Sequence, residues 1–348
     1  MIRLLHAADL HCSVRESEYC LGVLDELLQL AEARSVDALI LAGDTFDSAP
    51  DFREMRESVR ARLSAERSFS VLAVAGNHER LRADAASHVG IDFGADHFAD
   101  SEPVRIRTGG AEFLLVPFES PELQRGFPNL GGPGSLPRIA VCHGSWLPAS
   151  GFPNESQDSV LDPALFRALG CSYVALGHIH LRQQFADPLA VYPGSARVWR
   201  EGESGPRVAV EVEIPDGGAV RLTEHVLKRA GEFRVLNVPT GSEPNRTLLQ
   251  DVGPADWVVV RPLGLADSDG EVTDLIARYR ALLSPHVRKT GEDRSGTLVF
   301  SALRDHPVIL RFLAELERTA EGQDPAVVER ARAAGIAGIA AQLGRRSQ

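Results

Sequence analysis

Lysine, aromatic residues and long apolar runs are all scarce in this sequence. Lys228 and Lys289 are the only lysines among 37 basic residues, and the formal net charge is −11. This charge argues against a protein that binds nucleic acid by bulk electrostatic attraction, because such proteins usually carry a basic face. It leaves a local positive channel open. Arginine suits bidentate phosphate contacts, although a bias of the whole chain toward arginine and alanine explains the composition as well.

Membrane segments and disulfide bonds are not indicated by the sequence. No apolar run approaches the roughly 20 residues that a membrane helix needs, and the start, MIRLLHAADLHCS, is too polar for a secretory signal. No pair of cysteines has C-x-x-C spacing among Cys12, Cys20, Cys142 and Cys171. We therefore expect a cytoplasmic protein whose cysteines are free, buried packing residues.

The first half alternates short apolar runs with amphipathic stretches, which predicts a β-α-β-α-β order. Helices are predicted over residues 21–33 and 52–63, and the runs between them are continuous and rich in Val, Leu and Ala, as in buried central strands. Later strands are predicted at AEFLLVPFE, RIAVCHGS, YVALGHIH, VYPGS, PRVAVEVEI and AVRLTEHVL. The Gly- and Pro-rich stretch 121–137 predicts a surface loop that overhangs the site.

The pattern changes near residue 228. Strands at FRVLNV, DWVVVRPLG and GTLVFSAL, with a helix over residues 271–283, predict a small α+β domain. Two helical patterns follow, PVILRFLAELERT and PAVVERARAAGIAGIAAQL, each beginning at a proline that a first helical turn tolerates. We therefore divide the chain into residues 1–228, 229–303 and 304–348. The terminal helices either pack onto the second domain, through Val308, Phe312, Leu313 and Leu316, or bind a partner.

Five short motifs, each at or just beyond the end of a predicted strand, carry side chains that bind metals. They are Asp9-Leu10-His11, Gly43-Asp44, Gly76-Asn77-His78-Glu79, Cys142-His143-Gly144 and Gly177-His178-Ile179-His180. In an open α/β sheet this edge is where sites assemble, and in D-x-H and H-x-H both ligands point the same way from an extended chain. The preceding glycines allow sharp turns and close approach. Carboxylate, imidazole and amide ligands without thiolate favour a catalytic Mn, Fe or Zn site over a structural zinc.

In the order DxH, GD, GNHE, H, GHxH, the motifs resemble those of calcineurin-like metallophosphoesterases over residues 1–200. Within that superfamily, LLHAADLH, GDTFD, YVALGHIH and YPGS resemble the SbcD-type, Mre-like nuclease subunits, which act on DNA with an SbcC-type, SMC-like coiled-coil ATPase in double-strand-break repair. The resemblance implies an α/β fold, a four-layer α/β/β/α sandwich with a smaller α+β capping domain and a helical C-terminal tail that binds the ATPase. It also implies a homodimer within a heteromeric complex. DLHCS and CHGS depart from the usual sequences of the branch without removing a ligand.

The resemblance further implies a role for each matched residue. Asp9, His11 and His180 would hold the first of two divalent ions, with Mn²⁺ preferred over Fe or Zn. Asp44 would bridge to a second ion, which Asn77, His143 and His178 would complete. His78 would face the scissile phosphate and protonate the leaving oxygen, and Asp47 would orient His78. The position of Asp47 before a helix equally fits an N-cap.

Three functions remain open at this stage. The first is a two-metal nuclease that hydrolyses DNA phosphodiesters as part of an ATPase complex. The second is a stand-alone phosphodiesterase or phosphatase that acts on nucleotides or other small phosphoesters with the same metals. The third is a weakly catalytic accessory subunit of an ATPase complex. The predicted capping domain and terminal helices favour the first, because a small-substrate enzyme needs neither.

Overall fold

Two six-stranded sheets dominate the first part of the chain in the computed structural model. The structure describes residues 1–79, 92–119, 134–147, 159–216, 219–303, 305–320 and 322–345. It divides into two units, Met1–Glu232 and Phe233–Gln348. Each unit has its own hydrophobic core.

The first sheet begins with the first strand of the chain. Its strands are β1 (Ile2–Ala7), β2 (Ala38–Leu41), β3 (Ser70–Val74), β4 (His97–Ala99), β13 (Val208–Ile214) and β14 (Arg221–Val226). They lie in the order β14-β13-β1-β2-β3-β4. Strands β1 to β4 are parallel, and β13 and β14 extend the sheet in antiparallel fashion. The carboxyl ends of β1, β2 and β3 therefore meet at one edge.

The second sheet is built the same way around a parallel centre. Its strands are β5 (Val104–Thr108), β6 (Ala111–Val116), β7 (Arg138–His143), β10 (Cys171–Gly177), β11 (Gln183–Ala186) and β12 (Leu189–Tyr192). The order is β11-β12-β10-β7-β6-β5, with antiparallel strands only at the two edges. Two short strands, β8 (Ser145–Trp146) and β9 (Val160–Leu161), pair beside it.

Alternate side chains of β1 enter two different cores, as the period of a strand requires. Leu4 packs between the two sheets with residues such as Phe113, whereas Leu5 packs beneath the helices α1 (Ser17–Ala33) and α2 (Ala49–Leu63). The far side of the second sheet is covered by α3 (Pro163–Ala168), through Phe166. The layers follow the order helix, sheet, sheet, helix. The predicted four-layer α/β/β/α sandwich is thus confirmed.

A buried polar contact joins β1 of the first sheet to β10 of the second. Nδ1 of His6, on β1, lies 2.9 Å from the hydroxyl of Tyr173, on β10, and both side chains are fully buried. Burial lowers the pKa of His6 to about 3, so its ring is neutral. His6 belongs to the LLHAADLH segment noted in the sequence, and its place here is in the core between the sheets.

The second unit is a small parallel sheet with helices. Its elements are β15 (Phe233–Pro239), β16 (Trp257–Ala266), α4 (Asp269–Leu283), β17 (Lys289–Glu292), β18 (Thr297–Val299), α5 (Phe300–Leu303), α6 (Pro307–Thr319) and α7 (Pro325–Arg345). β16 pairs in parallel with β15, β17 and β18. The prediction of one strand over GTLVFSAL is wrong in its second half, because the chain turns into helix α5 at Phe300. The division of this unit into capping domain and tail stays a prediction.

Other expectations concern the cysteines, one loop and membrane segments. The four cysteines are free and buried, which confirms that they are packing residues. Most of the loop predicted over residues 121–137 lies outside the described residues. Within the described ranges, none of the helices combines the length and apolarity that crossing a bilayer requires.

Tyr173→Phe is expected to lower the free energy of unfolding by about 1–3 kcal/mol, because it leaves the buried His6 nitrogen without its partner. Urea denaturation at neutral pH measures the change. The double variant His6→Leu/Tyr173→Phe, which removes both polar groups, should recover part of the loss. An unchanged stability of Tyr173→Phe would show that the contact contributes nothing.

Candidate metal centre

All five motifs lie where strands of the two sheets end. Asp9 and His11 follow β1, Asp44 follows β2, and Asn77 and His78 follow β3. From the second sheet, His143 ends β7, and His178 and His180 follow β10. Backbone hydrogen bonds join the first two motifs, from Asp9 N to the Gly43 carbonyl (3.1 Å) and from His11 N to the Asp44 carbonyl (2.8 Å). The structure therefore brings every ligand predicted from the sequence to one place.

The backbone at this edge is unusual. Four of the ligand residues have positive φ, namely Asp9 (54°), His11 (43°), Asp44 (48°) and His178 (107°). Residues other than glycine rarely adopt this backbone conformation, and each one that does destabilises the folded state by on the order of 1–3 kcal/mol. We expected the two D-x-H ligands to point the same way from an extended strand. This expectation is wrong, because Asp9 and His11 have left-handed conformations. The strand ends at Ala7, and left-handed turns bring Asp9 and His11 into the cleft.

The glycines before three ligands are required by close packing. A Cβ on Gly43 would overlap the His143 ring, one on Gly76 the Asp44 carboxylate, and one on Gly177 the Ala42 carbonyl. Only Gly43 of the three has positive φ, at 88°. The sharp turn expected from the sequence therefore applies to Gly43. At the other two positions the missing side chain makes room for neighbouring protein atoms.

Side-chain atoms that could hold a metal ion converge in three overlapping groups, within which all atoms lie within 4.8 Å of one another. The groups are Asp9, His11 and His180; His11, Asp44 and His78; and Asp9, Asp44 and His143. His11 Nε2 is 3.1 Å from His180 Nε2, and the Asn77 Oδ1 oxygen is 3.1 Å from His143 Nε2 and 3.0 Å from His178 Nδ1. Lone pairs and carboxylates that face one another so closely are stabilised by cations between them. The donor set therefore fits divalent metal ions.

Burial and neighbouring charges together shift the pKa values of these groups. Burial raises the pKa of the Asp9 carboxyl to about 6, against the opposing effect of His180 and His143. For Asp44, burial acts in the same direction, but the neighbouring histidines outweigh it and hold the pKa below its ordinary value. Burial lowers the pKa of His11 to about 3. A neutral imidazole is the form that binds a metal.

The ligand carboxylates are held by backbone donors. His178 N donates to Asp9 Oδ1 (3.0 Å), and His78 N donates to Asp44 Oδ1 (2.9 Å). This leaves Asp44 Oδ2 close to His143 Nε2 (3.3 Å) and to His11 Nε2 (3.8 Å). One oxygen of Asp44 thus lies between ligands from both sheets.

The ring nitrogens of the histidines divide into anchored and cleft-facing atoms. His143 Nδ1 donates to the Ala42 carbonyl (2.9 Å), which leaves Nε2 facing the Asp44 carboxylate and the Asn77 amide oxygen, both of which only accept hydrogen bonds. Nδ1 of His180 lies 2.5 Å from Glu203 Oε1. Such contacts fix which nitrogen keeps the proton, and so which one offers a lone pair to a metal.

His78 and Asp47 differ in detail from the expected arrangement. His78 Nδ1 donates to the backbone carbonyl of Asp47 (2.7 Å), whereas the Asp47 carboxylate is 3.9 Å from His78 and 3.3 Å from His11 Nδ1. The main chain of Asp47 therefore holds His78, and its carboxylate lies nearer to a ligand. The N-cap alternative for Asp47 is wrong, because Ser48 caps α2 by accepting from Asp51 N.

Four residues that contact the loops or side chains of the centre are not among the site residues predicted from the sequence. Buried Glu79 accepts from Phe46 N (3.0 Å) and Gly76 N (2.9 Å), and so joins the loops that carry Asp44 and Asn77. Its signal was present in the GNHE motif. Arg197 donates to the carbonyls of Leu10 (2.8 Å) and His11 (2.6 Å). Arg197, Trp199 and Glu203 have no motif, so only the fold brings them to the ligands.

A cavity of about 350 Å³ opens onto the centre. The cavity is lined by the proposed ligands Asp44, Asn77, His178 and His180 together with His78, and by residues 200–204 and Arg207. The His78 side chain is 25% exposed. A phosphoester that enters the cavity therefore meets the ligand cluster and His78 together.

Gly76→Ala is expected to weaken metal binding strongly and to lower stability by about 1–3 kcal/mol, because the added methyl group displaces the Asp44 carboxylate. Titration calorimetry with Mn²⁺ and thermal unfolding measure the two effects. Gly22→Ala is the matched control, since a Cβ there meets the Arg229 side chain at an ordinary 3.6 Å. Equal metal affinity in both variants would contradict the packing role of Gly76.

Comparison with known proteins agrees with this geometry. Residues 2–182, just over half of the chain, match the calcineurin-like phosphoesterase family. The chain is 25% identical over 278 residues to the SbcD component of the SbcCD nuclease of Bacillus subtilis (strain 168). This alignment covers 66% of this chain and 71% of that protein. It is 27% identical over 223 residues to the DNA double-strand break repair protein Mre11 of Methanopyrus kandleri, or 56% of this chain and 48% of that protein. The chain thus spans about half the length of the second relative.

Solved structures give weaker likenesses. An archaeal phosphodiesterase has 12% identity and a TM-score of 0.35, covering 64% of this chain and 100% of that one. A dimetal phosphatase from Danio rerio has 13% identity and a TM-score of 0.41, covering 65% of this chain and 99% of that one. Likenesses this slight carry no argument about function. The family match, by contrast, spans all five of the motifs described above. The chain therefore belongs to the calcineurin-like phosphoesterase family, whose members are metal-dependent phosphoesterases with a dinuclear metal site.

Proposed function

We propose that this protein is a Mn²⁺-dependent nuclease that hydrolyses DNA phosphodiester bonds within a double-strand-break repair complex. The observation that carries the proposal is the length of the alignment with the SbcD nuclease component. That alignment covers 66% of this chain, whereas the family match covers residues 2–182. A phosphoesterase for small substrates would be expected to share only the region that holds the metal ligands. The similarity to a double-strand break repair protein supports the same function.

The proposal assigns Asp9, His11 and His180 to one metal ion and Asn77, His143 and His178 to the other. The clustering of the first three and the contacts of Asn77 Oδ1 with the other two histidines support this division. Asp44 is assigned the bridging position, because its Oδ2 approaches a histidine of each set. When bound, a metal pair supplies a hydroxide at neutral pH and stabilises the charge on the phosphoryl oxygens.

His78 is assigned the role of proton donor to the leaving oxygen. An alkoxide is a poor leaving group without such help. Nδ1–H of His78 donates to the Asp47 carbonyl, so the proton assigned to the leaving oxygen is the Nε2 proton of the imidazolium form, and the side chain lines the cavity. Asp47 is thus assigned to position His78 through its main chain.

His78→Ala is expected to abolish cleavage of linear DNA in the presence of Mn²⁺ while leaving the bound metal content unchanged. The reason is that it removes a proton donor and none of the seven proposed ligands. Gel assays of DNA cleavage and elemental analysis of the purified protein measure the two properties. His97→Ala, on the edge strand β4, is the control and should retain activity.

Two outcomes would overturn the nuclease proposal. If the metal-loaded wild type hydrolyses only nucleotides or phosphomonoesters, the protein is a small-substrate phosphoesterase. If His78→Ala supports repair as well as wild type does, the protein acts chiefly as an accessory subunit. A substrate panel and complementation of a repair-deficient strain separate these cases.

The proposal includes an SbcC-type, SMC-like coiled-coil ATPase as partner, in a cytoplasmic complex that holds two copies of this chain. The terminal helices are its proposed binding segment. Phe312 of α6 packs against Gly335 of α7, where no Cβ would fit, so the two helices form a pair. Val308 and Leu310 of α6 and Val327 of α7 remain between 45% and 52% exposed. These apolar side chains are available to a partner.

Leu310→Asp is expected to reduce co-purification with such an ATPase at least tenfold and to leave nuclease activity of the isolated protein unchanged. A charge in an apolar interface is costly to bury. Pull-down with an SbcC-type ATPase from the same organism measures the effect. The neighbouring variant Arg311→Gln is the control, and equal loss in both would argue against an apolar contact at Leu310.

A further inference from the structure

A segment that follows the second sheet returns to the metal centre and contacts its ligands. Trp199 stacks on the His11 imidazole, with ring centroids 4.0 Å apart and planes inclined by only 4°. The Arg200 guanidinium lies 4.0 Å from the same indole. The indole therefore fixes the plane of the His11 ring by direct contact.

Glu203 makes the second contact of this segment. Its Oε1 accepts from His180 Nδ1 at 2.5 Å, and its Oε2 accepts from Trp199 N (2.8 Å) and Ser195 Oγ (3.3 Å). The Glu203 side chain is 10% exposed. One carboxylate thus holds a ligand histidine with one oxygen and the backbone of Trp199 with the other.

These contacts determine which atoms face the metal. A carboxylate only accepts hydrogen bonds, so the proton of the neutral His180 ring lies on Nδ1 and the lone pair on Nε2. Nε2 is 3.1 Å from His11 Nε2 and 3.9 Å from Asp9 Oδ1. Glu203 therefore turns the basic nitrogen of His180 toward the other two members of its group.

We propose that Glu203 and Trp199 are positioning residues that preform one of the two metal sites, the one built from Asp9, His11 and His180. The inference rests on the proposed assignment of these three ligands to a single ion. A change of Glu203 or Trp199 should affect this site selectively, because the ligands of the other proposed site are held by other contacts. His143 is anchored by the Ala42 carbonyl, and the Asn77 loop by Glu79 through Gly76, so both are held by contacts outside the segment 199–203.

The first test is Glu203→Gln, which preserves size but cannot keep both bonds, since an amide accepts through its oxygen only. We expect the affinity for one of two Mn²⁺ ions to fall by about 10- to 100-fold and the other to stay unchanged. Titration calorimetry resolves the two ions. Electron paramagnetic resonance should show loss of the spin-coupled signal of a Mn²⁺ pair at sub-saturating metal. Glu54→Gln, at an exposed position of α2 that does not line the cavity, is the control and should behave as wild type.

Trp199 is tested by a pair of variants. Trp199→Ala should weaken the same ion, because the His11 ring loses its stacking surface, and Trp199→Phe should restore most of the affinity. Far-ultraviolet circular dichroism checks that each variant is folded. A merely structural role would reduce both metal affinities together and would not be rescued by phenylalanine.

Loss of both ions in Glu203→Gln, or of neither, would overturn the inference. So would a wild type that binds a single ion. These titrations use no DNA, so they are independent of the nuclease assay. A wild type that binds two ions with the expected selectivity but does not cleave DNA would sink the nuclease proposal and leave the positioning roles standing.

Discussion

The candidate metal centre depends on buried carboxylate oxygens and imidazole nitrogens that are held close to one another. Asp9 and Asp44 are almost completely shielded from solvent, and two imidazole nitrogens from different sheets approach to 3.1 Å. Such a cluster is unfavourable unless cations lie between its members. The fold must therefore hold the ligands rigidly. The site lies where the two sheets pack face to face and the carboxyl ends of their central parallel strands meet. Four of the proposed ligand residues have left-handed backbone conformations, and the surrounding packing offsets their strain.

The part of this arrangement that the sequence revealed is the part encoded locally. Asp44, Asn77 and His178 each follow a buried strand and a glycine, so their type, order and position could be inferred from short stretches. The layers were also predictable, because continuous apolar runs and amphipathic helices alternate along the first half. The reason given for D-x-H was wrong, since a strand pattern does not reveal that the chain leaves β1 in left-handed turns.

The features that the sequence concealed are of two kinds. Edge strands such as β5, β11 and β17 are short and partly exposed, and their residues VRIRT, QQFA and KTGE lack the apolar signal of the central strands. Their pairing comes from neighbours that are already in place. The second kind is contact over long separations. Glu203 and His180, or Trp199 and His11, are joined by no motif, and only the closed sandwich sets them side by side.

Ligands and the residues that hold them thus come from different parts of the chain. The family match ends at residue 182 and contains every proposed ligand, whereas Arg197, Trp199 and Glu203 lie beyond it. Arg197 holds the main chain of the first motif, and the other two hold its histidine and that of the last motif. The same segment also lines the cavity. Glu203 contacts His180 and also lines the cavity, so a change of this residue is expected to act on the orientation of a proposed ligand and on the shape of the cavity together. The ligand motifs by themselves determine neither.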